Sequence, residues 1–275
     1  MSSIAEKTNI VEKIEAAFEA ANLDQGQVQA VNEAINLLDA GKKRICEKGP
    51  NGWHTHQWLK KAVLLYFKIQ KLELMESGHF TFYDKVPIKK WNGTEGVRVA
   101  PNAIARKGSF IEPGCVLMPS FVNIGARVGA GSLVDTWVTV GSCAQIGENV
   151  HIAGGVGIGG VLEPIQNNPV IIEDNAFIGS RCIIVEGVYV GEGAVLGAGV
   201  VLTSSTKIMD VREATVKVLR GTIPANGVVI PGTTMKTFPA GEFGVPCALI
   251  IGTRTESTDK KTSLTAVLRK FDVSV

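Results

Sequence analysis

The chain has 275 residues, 45% hydrophobic and 20% charged, which is enough to bury a large core and leave room for a flanking domain. Its net charge of +2, with no basic run interleaved with aromatics, gives no nucleic-acid footprint, and no apolar run approaches the roughly 20 residues that span a bilayer. With no leader-like opening, the expectation is a cytoplasmic protein with neither nucleic-acid nor membrane partners.

Residues 1 to about 97 read as a helical domain. Ile10, Ile14, Ala17, Phe18 and Ala21 recur at helical spacing, as do Val28, Val31, Ile35 and Leu38, with Gly41 as a stop. A third helix is predicted from Gln57 to Ile69. His54 and His56 precede it two residues apart, and without further ligands nearby they read as capping or surface residues rather than a metal pair.

From Ile104 an apolar residue returns every sixth position: Ile104, Phe110, Val116, Val122, Val128, Val134, Val140, Ile146, Ile152 and Ile158. After a gap the series resumes at Ile172, Ile178, Ile184, Val190, Leu196, Leu202 and Ile208. Four residues after most of these sits a small or β-branched side chain, such as Gly108, Gly114, Ser120, Ala126 or Ser132. A period of six fits neither a helix nor an alternating strand, so the unit is a short strand plus a corner, three units to a coil. Glycines directly after the apolar residue (Gly129, Gly141, Gly147, Gly179, Gly191) are expected to supply positive φ at the corners. Parallel crossovers are generally right-handed, but hexapeptide repeats of this spelling resemble the left-handed parallel β-helix. The expected fold is therefore mainly β: a left-handed β-helix over 98–235, about six coils long, capped at its open N-terminal end by the helical domain 1–97.

Ile158 and Ile172 are fourteen apart, two more than two hexads, so an excursion loop over 159–171 is forced, with a neighbouring subunit as its expected target. Met209 to Thr222 breaks the repeat, and Ile223 and Val229 read as one more partial coil. Residues 236–275 are read as a C-terminal segment with a strand at 248–251 and a short helix over 263–271. Five scattered cysteines (Cys46, Cys115, Cys143, Cys182, Cys247) without a CxxC pair imply reduced thiols rather than disulfides or a zinc ribbon.

Several stretches together resemble the tetrahydrodipicolinate N-succinyltransferase family of hexapeptide acyltransferases: Thr55 to Leu65, Asp84 to Pro87, Leu117 to Gly125, Val134 to Gly147 and Gly154 to Pro164. The likeness runs from about residue 30 to 205. It implies a homotrimer with active sites between subunits and transfer of succinyl from succinyl-CoA to the amino group of ring-opened tetrahydrodipicolinate. The products would be N-succinyl-2-amino-6-oxopimelate and CoA, in the succinylase branch of diaminopimelate and lysine biosynthesis. No tightly bound cofactor and no metal is implied. Other readings of the same repeats are an acetyl-CoA-dependent hexapeptide acyltransferase or a trimeric scaffold without catalysis. A zinc carbonic anhydrase needs three converging histidines, and only His151 lies in the coils.

A thioester is already activated, so the amine can attack directly once held and deprotonated. Holding a dicarboxylate favours arginine, and Arg98 matches the family's substrate-binding arginine. Asp135 stands where neighbouring hexads have glycine and matches the family's substrate-contacting aspartate, fit to orient the amine or accept its proton. A corner aspartate bonding backbone N–H groups is the plainer reading of the same residue. Gly154 to Gly160 is a candidate oxyanion turn, Lys207 a candidate partner for a CoA phosphate, Glu163 and Glu186 further acidic candidates, and His151 an alternative base. Where some relatives place an acidic residue shortly before Val-Glu-Gly, this chain has Ile183.

Overall fold

The computed structural model describes residues 2–50 and 52–254. Two-residue strands stack in parallel into a three-sided prism. Face I runs from Arg98–Val99 through Val116–Leu117, Leu133–Val134, His151–Ile152, Phe177–Ile178 and Val195–Leu196 to the strand Gly227–Phe238. Face II runs from Ile104–Ala105 to Val201–Leu202, and face III from Phe110–Ile111 to Thr222–Ile223. The partial coil expected at Ile223 and Val229 is present, in register with Val190 and Leu196.

The second residue of each strand points inward. Val128, Val134, Val140, Ile152, Ile178, Ile184, Val190 and Leu196 form columns with no exposed surface, each worth roughly 1.5–3 kcal/mol of burial. The expected six-residue frame is one residue early in the first coil: Ala105, Ile111 and Leu117 are the buried residues, and Ile104, Phe110 and Val116 face outward. The strand Val116–Leu117 is followed by Phe121–Val122, five positions on, so this corner is one residue short. Hydrophobicity hides the shift because the outward residues are apolar too; the Phe110 ring, for instance, lies against Gly41 of the helical domain. The small interior residues of the first coil are accordingly Ser109 and Cys115, not Gly108 and Gly114, which are corner residues at φ +85° and +82°.

Glycines directly after the inward residue have a different role from the one expected. Gly129, Gly141 and Gly147 do not have positive φ; a Cβ on them would come within 2.5, 2.1 and 2.3 Å of the next coil. Close stacking excludes the side chain there. Positive φ falls two residues later, as at Gly131, Asn149 and Asn175.

Three helices precede the prism, α1 (Ser2–Glu19), α2 (Gln25–Asp39) and α3 (Gln57–Ile69). Asp24 and Gln27 form a reciprocal capping box at the start of α2, and Gly41 at φ +67° ends it as expected. Two hairpins were not expected: Cys46–Gly49 with Gly52–Thr55, and Glu73–Ser77 with Phe80–Asp84. The helical domain lies along face III and does not cap the open end. Its core (Ile14, Ala34, Ile35, Leu59, Val63) is continuous with Ile124, Cys143 and Ile171 of the prism. At the N-terminal end Trp91, Val97 and Ala103 pack against the prism core instead.

The excursion 159–171 turns back onto its own chain. Lys60 on α3, fully buried, donates to the carbonyls of Pro164 (3.3 Å), Ile165 (2.9 Å) and Asn167 (2.7 Å), and Thr55 donates to Asn168 Oδ1 (2.8 Å). At the other end, Gly227–Phe238 and Gly241–Thr253 form a long antiparallel ribbon whose base buries Val228, Val229, Ala248 and Ile250. The first strand of this ribbon passes through residue 235, so no boundary falls there. The short helix expected over 263–271 lies outside the described residues.

Candidate active site

The corner between faces I and II gathers the chemistry. Arg98 opens face I at an exposed outward position, its backbone N–H donating to Cys115 O (2.9 Å). Its guanidinium has no partner among the described residues. Asp135 lies two rungs along, about 10 Å at ordinary strand spacing, as the first residue of the corner. It is half-buried, and Oδ1 accepts from the Thr136 backbone N–H (2.6 Å) and Thr136 Oγ1 (3.2 Å). This is the plain corner role foreseen for it, yet it occupies one oxygen only. Oδ2 has no partner among the described residues. The replacement of a glycine at this position is a weaker signal than it looked, since the same corner also carries Met118 and Ala153 after the inward residue.

His151 occupies face I between Leu133 and Phe177, half-buried, its ring 5.0 Å from that of Phe177. Lys207 is exposed and lies beyond the last full coil, its carbonyl accepting from Ala248 N–H (3.0 Å). Within one chain it lies past Val195, which is itself five rungs from Arg98, about 24 Å, so the structure does not bring it to the other two. Glu186 accepts from Ser204 N–H (3.1 Å) and Ser204 Oγ (2.6 Å), a corner role, and Glu163 lies exposed in the excursion.

The sequence reading did not single out Trp137. It projects from the same corner 73% exposed and at φ +61°, a conformation that costs an L-residue roughly 1–2 kcal/mol. It rims a cleft of about 570 Å³ between the first coil and the hairpin Glu73–Asp84, lined also by Phe80, Phe82, Trp91 and Ile104. Trp137, two residues after Asp135, is the part of this lining nearest in sequence to the carboxylate, and the cleft's apolar wall suits the uncharged part of a ligand.

A smaller cavity of about 170 Å³ under face III is lined by Arg44, Lys48, Glu112, Arg127 and Glu173, but Lys48 pairs with Glu173, Arg127 with Glu112, and Arg44 donates to Gln145 of the prism. No group of three or more His, Cys, Asp or Glu able to hold a metal occurs among the described residues. The five cysteines are buried and unbridged, and burial pushes the thiols up, to about 11 for Cys46 and Cys182 and about 12 for Cys143. They are packing residues, not nucleophiles.

Residues 9–69 match the profile "Tetrahydrodipicolinate N-succinyltransferase N-terminal" and residues 169–204 match "Hexapeptide repeat of succinyl-transferase". The chain is 51% identical to the 2,3,4,5-tetrahydropyridine-2,6-dicarboxylate N-succinyltransferase of Parvibaculum lavamentivorans, covering 93% of this chain and 96% of that protein. The chain belongs to the tetrahydrodipicolinate N-succinyltransferase family. The protein of the same name from Sodalis glossinidius is 48% identical over 99% of this chain and 100% of its own length. Among solved structures, a 2,3,4,5-tetrahydropyridine-2-carboxylate N-succinyltransferase from Campylobacter jejuni shares the fold, with a TM-score of 0.52, 17% identity, and coverage of 86% of this chain and 64% of that one. The fold is thus the family's left-handed parallel β-helix with N-terminal helices.

Proposed function

We infer that this protein is the tetrahydrodipicolinate N-succinyltransferase of diaminopimelate and lysine biosynthesis, an acyltransferase that uses succinyl-CoA as cosubstrate. The observation that carries this reading is full-length identity near 50% to relatives of that name. No described helix is long and apolar enough to cross a membrane.

In the reading proposed for the site, Arg98 binds one carboxylate of the acceptor through its open guanidinium. Asp135 meets the acceptor amine with Oδ2, while Thr136 holds Oδ1 and so fixes the carboxylate plane. The amine nitrogen attacks the thioester carbonyl, its proton passes to Asp135, and collapse of the tetrahedral adduct forms the amide and expels CoA thiolate. The backbone N–H of Gly154 in the glycine-rich turn is the proposed donor to the oxyanion, that of Gly155 being given to Thr136 O (2.9 Å). The apolar cleft beside Trp137 and the exposed Ile183 and Val201 of face II support assembly as a homotrimer with the site between subunits. Lys207, remote within one chain, is proposed to reach a CoA phosphate only across such an interface.

Thiol release from succinyl-CoA, with and without tetrahydrodipicolinate and with acetyl-CoA as rival donor, tests the reading. Acceptor-dependent release that prefers succinyl-CoA is expected. Equal or better use of acetyl-CoA would move the protein to another acyl transfer, and absence of turnover by the folded oligomer would leave a scaffold.

A further inference from the structure

The three corners of the prism treat their left-handed backbone positions differently. At the corner between faces III and I these positions hold Gly114, Gly131, Asn149, Asn175, Gly193 and Asn226, all residues that tolerate positive φ. At the corner between faces I and II the series is Asn102, Trp137, Gly155, Arg181 and Gly199. A tryptophan and an arginine are therefore held, at φ +61° and +62°, where the rest of the column shows that glycine fits. The corner between faces II and III also holds strained residues, Cys143 at φ +68° and Glu186 at +57°, but Cys143 is buried in the core and Glu186 accepts from Ser204; a strained side chain with no such engagement points to another task.

Arg181 is exposed, and no hydrogen bond or ion pair of its side chain occurs among the described residues. It does not extend into solvent away from the prism. Its Cδ, Nε and Cζ lie over Gly155, within 2.8, 2.8 and 3.2 Å of where a Cβ on that glycine would be. Gly155 N–H in turn donates to Thr136 O (2.9 Å), so the guanidinium is laid down the corner toward the coil of Asp135, Thr136 and Trp137. The space it crosses exists only because residue 155 has no side chain. An unpaired guanidinium lying along the corner that carries an open carboxylate oxygen is matched to an anionic group brought there by a substrate.

We propose that Arg181 is a specificity-determining residue that binds a substrate carboxylate, supplied either by the dicarboxylate acceptor or by the free end of the succinyl group. This rests on the succinyl-transfer reading given above. Gly155 is the complementary residue that gives the guanidinium its path.

The left-handed backbone supplies a clean test, because Arg181→Gly relieves strain and is expected to fold at least as well as wild type. Steady-state kinetics would be measured for wild type, Arg181→Gly and Arg181→Lys with tetrahydrodipicolinate and succinyl-CoA, and with butyryl-CoA as a donor of similar length lacking the carboxylate. The expected result for Arg181→Gly is a KM raised roughly ten- to a hundredfold for one substrate, with Arg181→Lys in between and the unfolding midpoint unchanged or higher. A rise for succinyl-CoA, with butyryl-CoA unaffected, assigns the succinyl carboxylate; a rise for tetrahydrodipicolinate alone assigns the acceptor. Wild-type KM for both substrates in Arg181→Gly, or a fall in kcat with both KM values unchanged, overturns the proposal. If wild type itself transfers no succinyl group, the underlying functional reading fails instead, and the two failures are told apart by that control.

Discussion

Face III and the corner between faces I and II are built from the same repeat, yet they treat their polar groups in opposite ways. Under the helical domain the arginines and Glu173 are engaged: Arg127 pairs with Glu112, Arg44 donates to Gln145, and Glu173 accepts from Trp53 (2.8 Å) and pairs with Lys48 (2.7 Å). At the other corner Arg98 and Arg181 have no partner among the described residues and Asp135 keeps one oxygen open. Matched polar groups hold the domain on the prism, and unmatched ones on the open side are kept for a ligand. Substitutions should therefore separate cleanly into losses of activity on one side and losses of stability on the other.

The largest effect is expected at Asp135. Asp135→Asn keeps the shape and the bond from Thr136 but cannot take a proton, so kcat should fall by roughly 10²–10⁴ while the thermal midpoint stays within a few degrees. Next, Arg98→Ala should raise KM for tetrahydrodipicolinate by roughly ten- to a hundredfold, as expected for loss of a charge-assisted carboxylate contact. Circular dichroism would show an unaltered fold in both.

On the covered side, Glu173→Gln should cost about 1–3 kcal/mol of stability at neutral pH with kcat/KM unchanged. Burial pushes the Glu173 carboxyl up, but hydrogen bonds from Lys48, Tyr189 and Trp53 outweigh it and hold it below its ordinary value of 4.5. A carboxyl depressed in the folded state stabilises above its unfolded value and loses that contribution as pH falls through the folded one. Denaturation midpoints of wild type and Glu173→Gln should therefore differ most at neutral pH and converge as the pH drops below about 4.5. The smallest effect is expected at Asn175, at φ +60° on the corner between faces III and I. Asn175→Ala should lose roughly 1 kcal/mol, because alanine tolerates the left-handed region less well, with no change in either KM.

Much of this division was hidden in the sequence for a physical reason. The six-residue period was legible because each coil must bury an aliphatic residue on every face, and it stayed legible across the excursion. Its frame was lost in the first coil, where the five-residue step from Leu117 to Val122 coincides with outward residues that are themselves apolar. The side-on placement of the helical domain was not legible, since a helix face buried on a prism side and one buried on its end have the same pattern. Arg98 and Asp135 stood out through family resemblance, while Trp137 and Arg181 did not, although a signal was present. They fall eighteen residues before Gly155 and Gly199, one coil earlier, so aligning whole coils puts a bulky side chain where glycine is expected.

The most direct test measures kcat/KM for succinyl transfer and the unfolding midpoint together for Asp135→Asn and Glu173→Gln. The account predicts that Asp135→Asn loses activity at an unchanged midpoint and that Glu173→Gln loses stability at unchanged activity. Near-normal turnover by Asp135→Asn, or inactivity of a fully stable Glu173→Gln, would contradict it and place the reaction under face III.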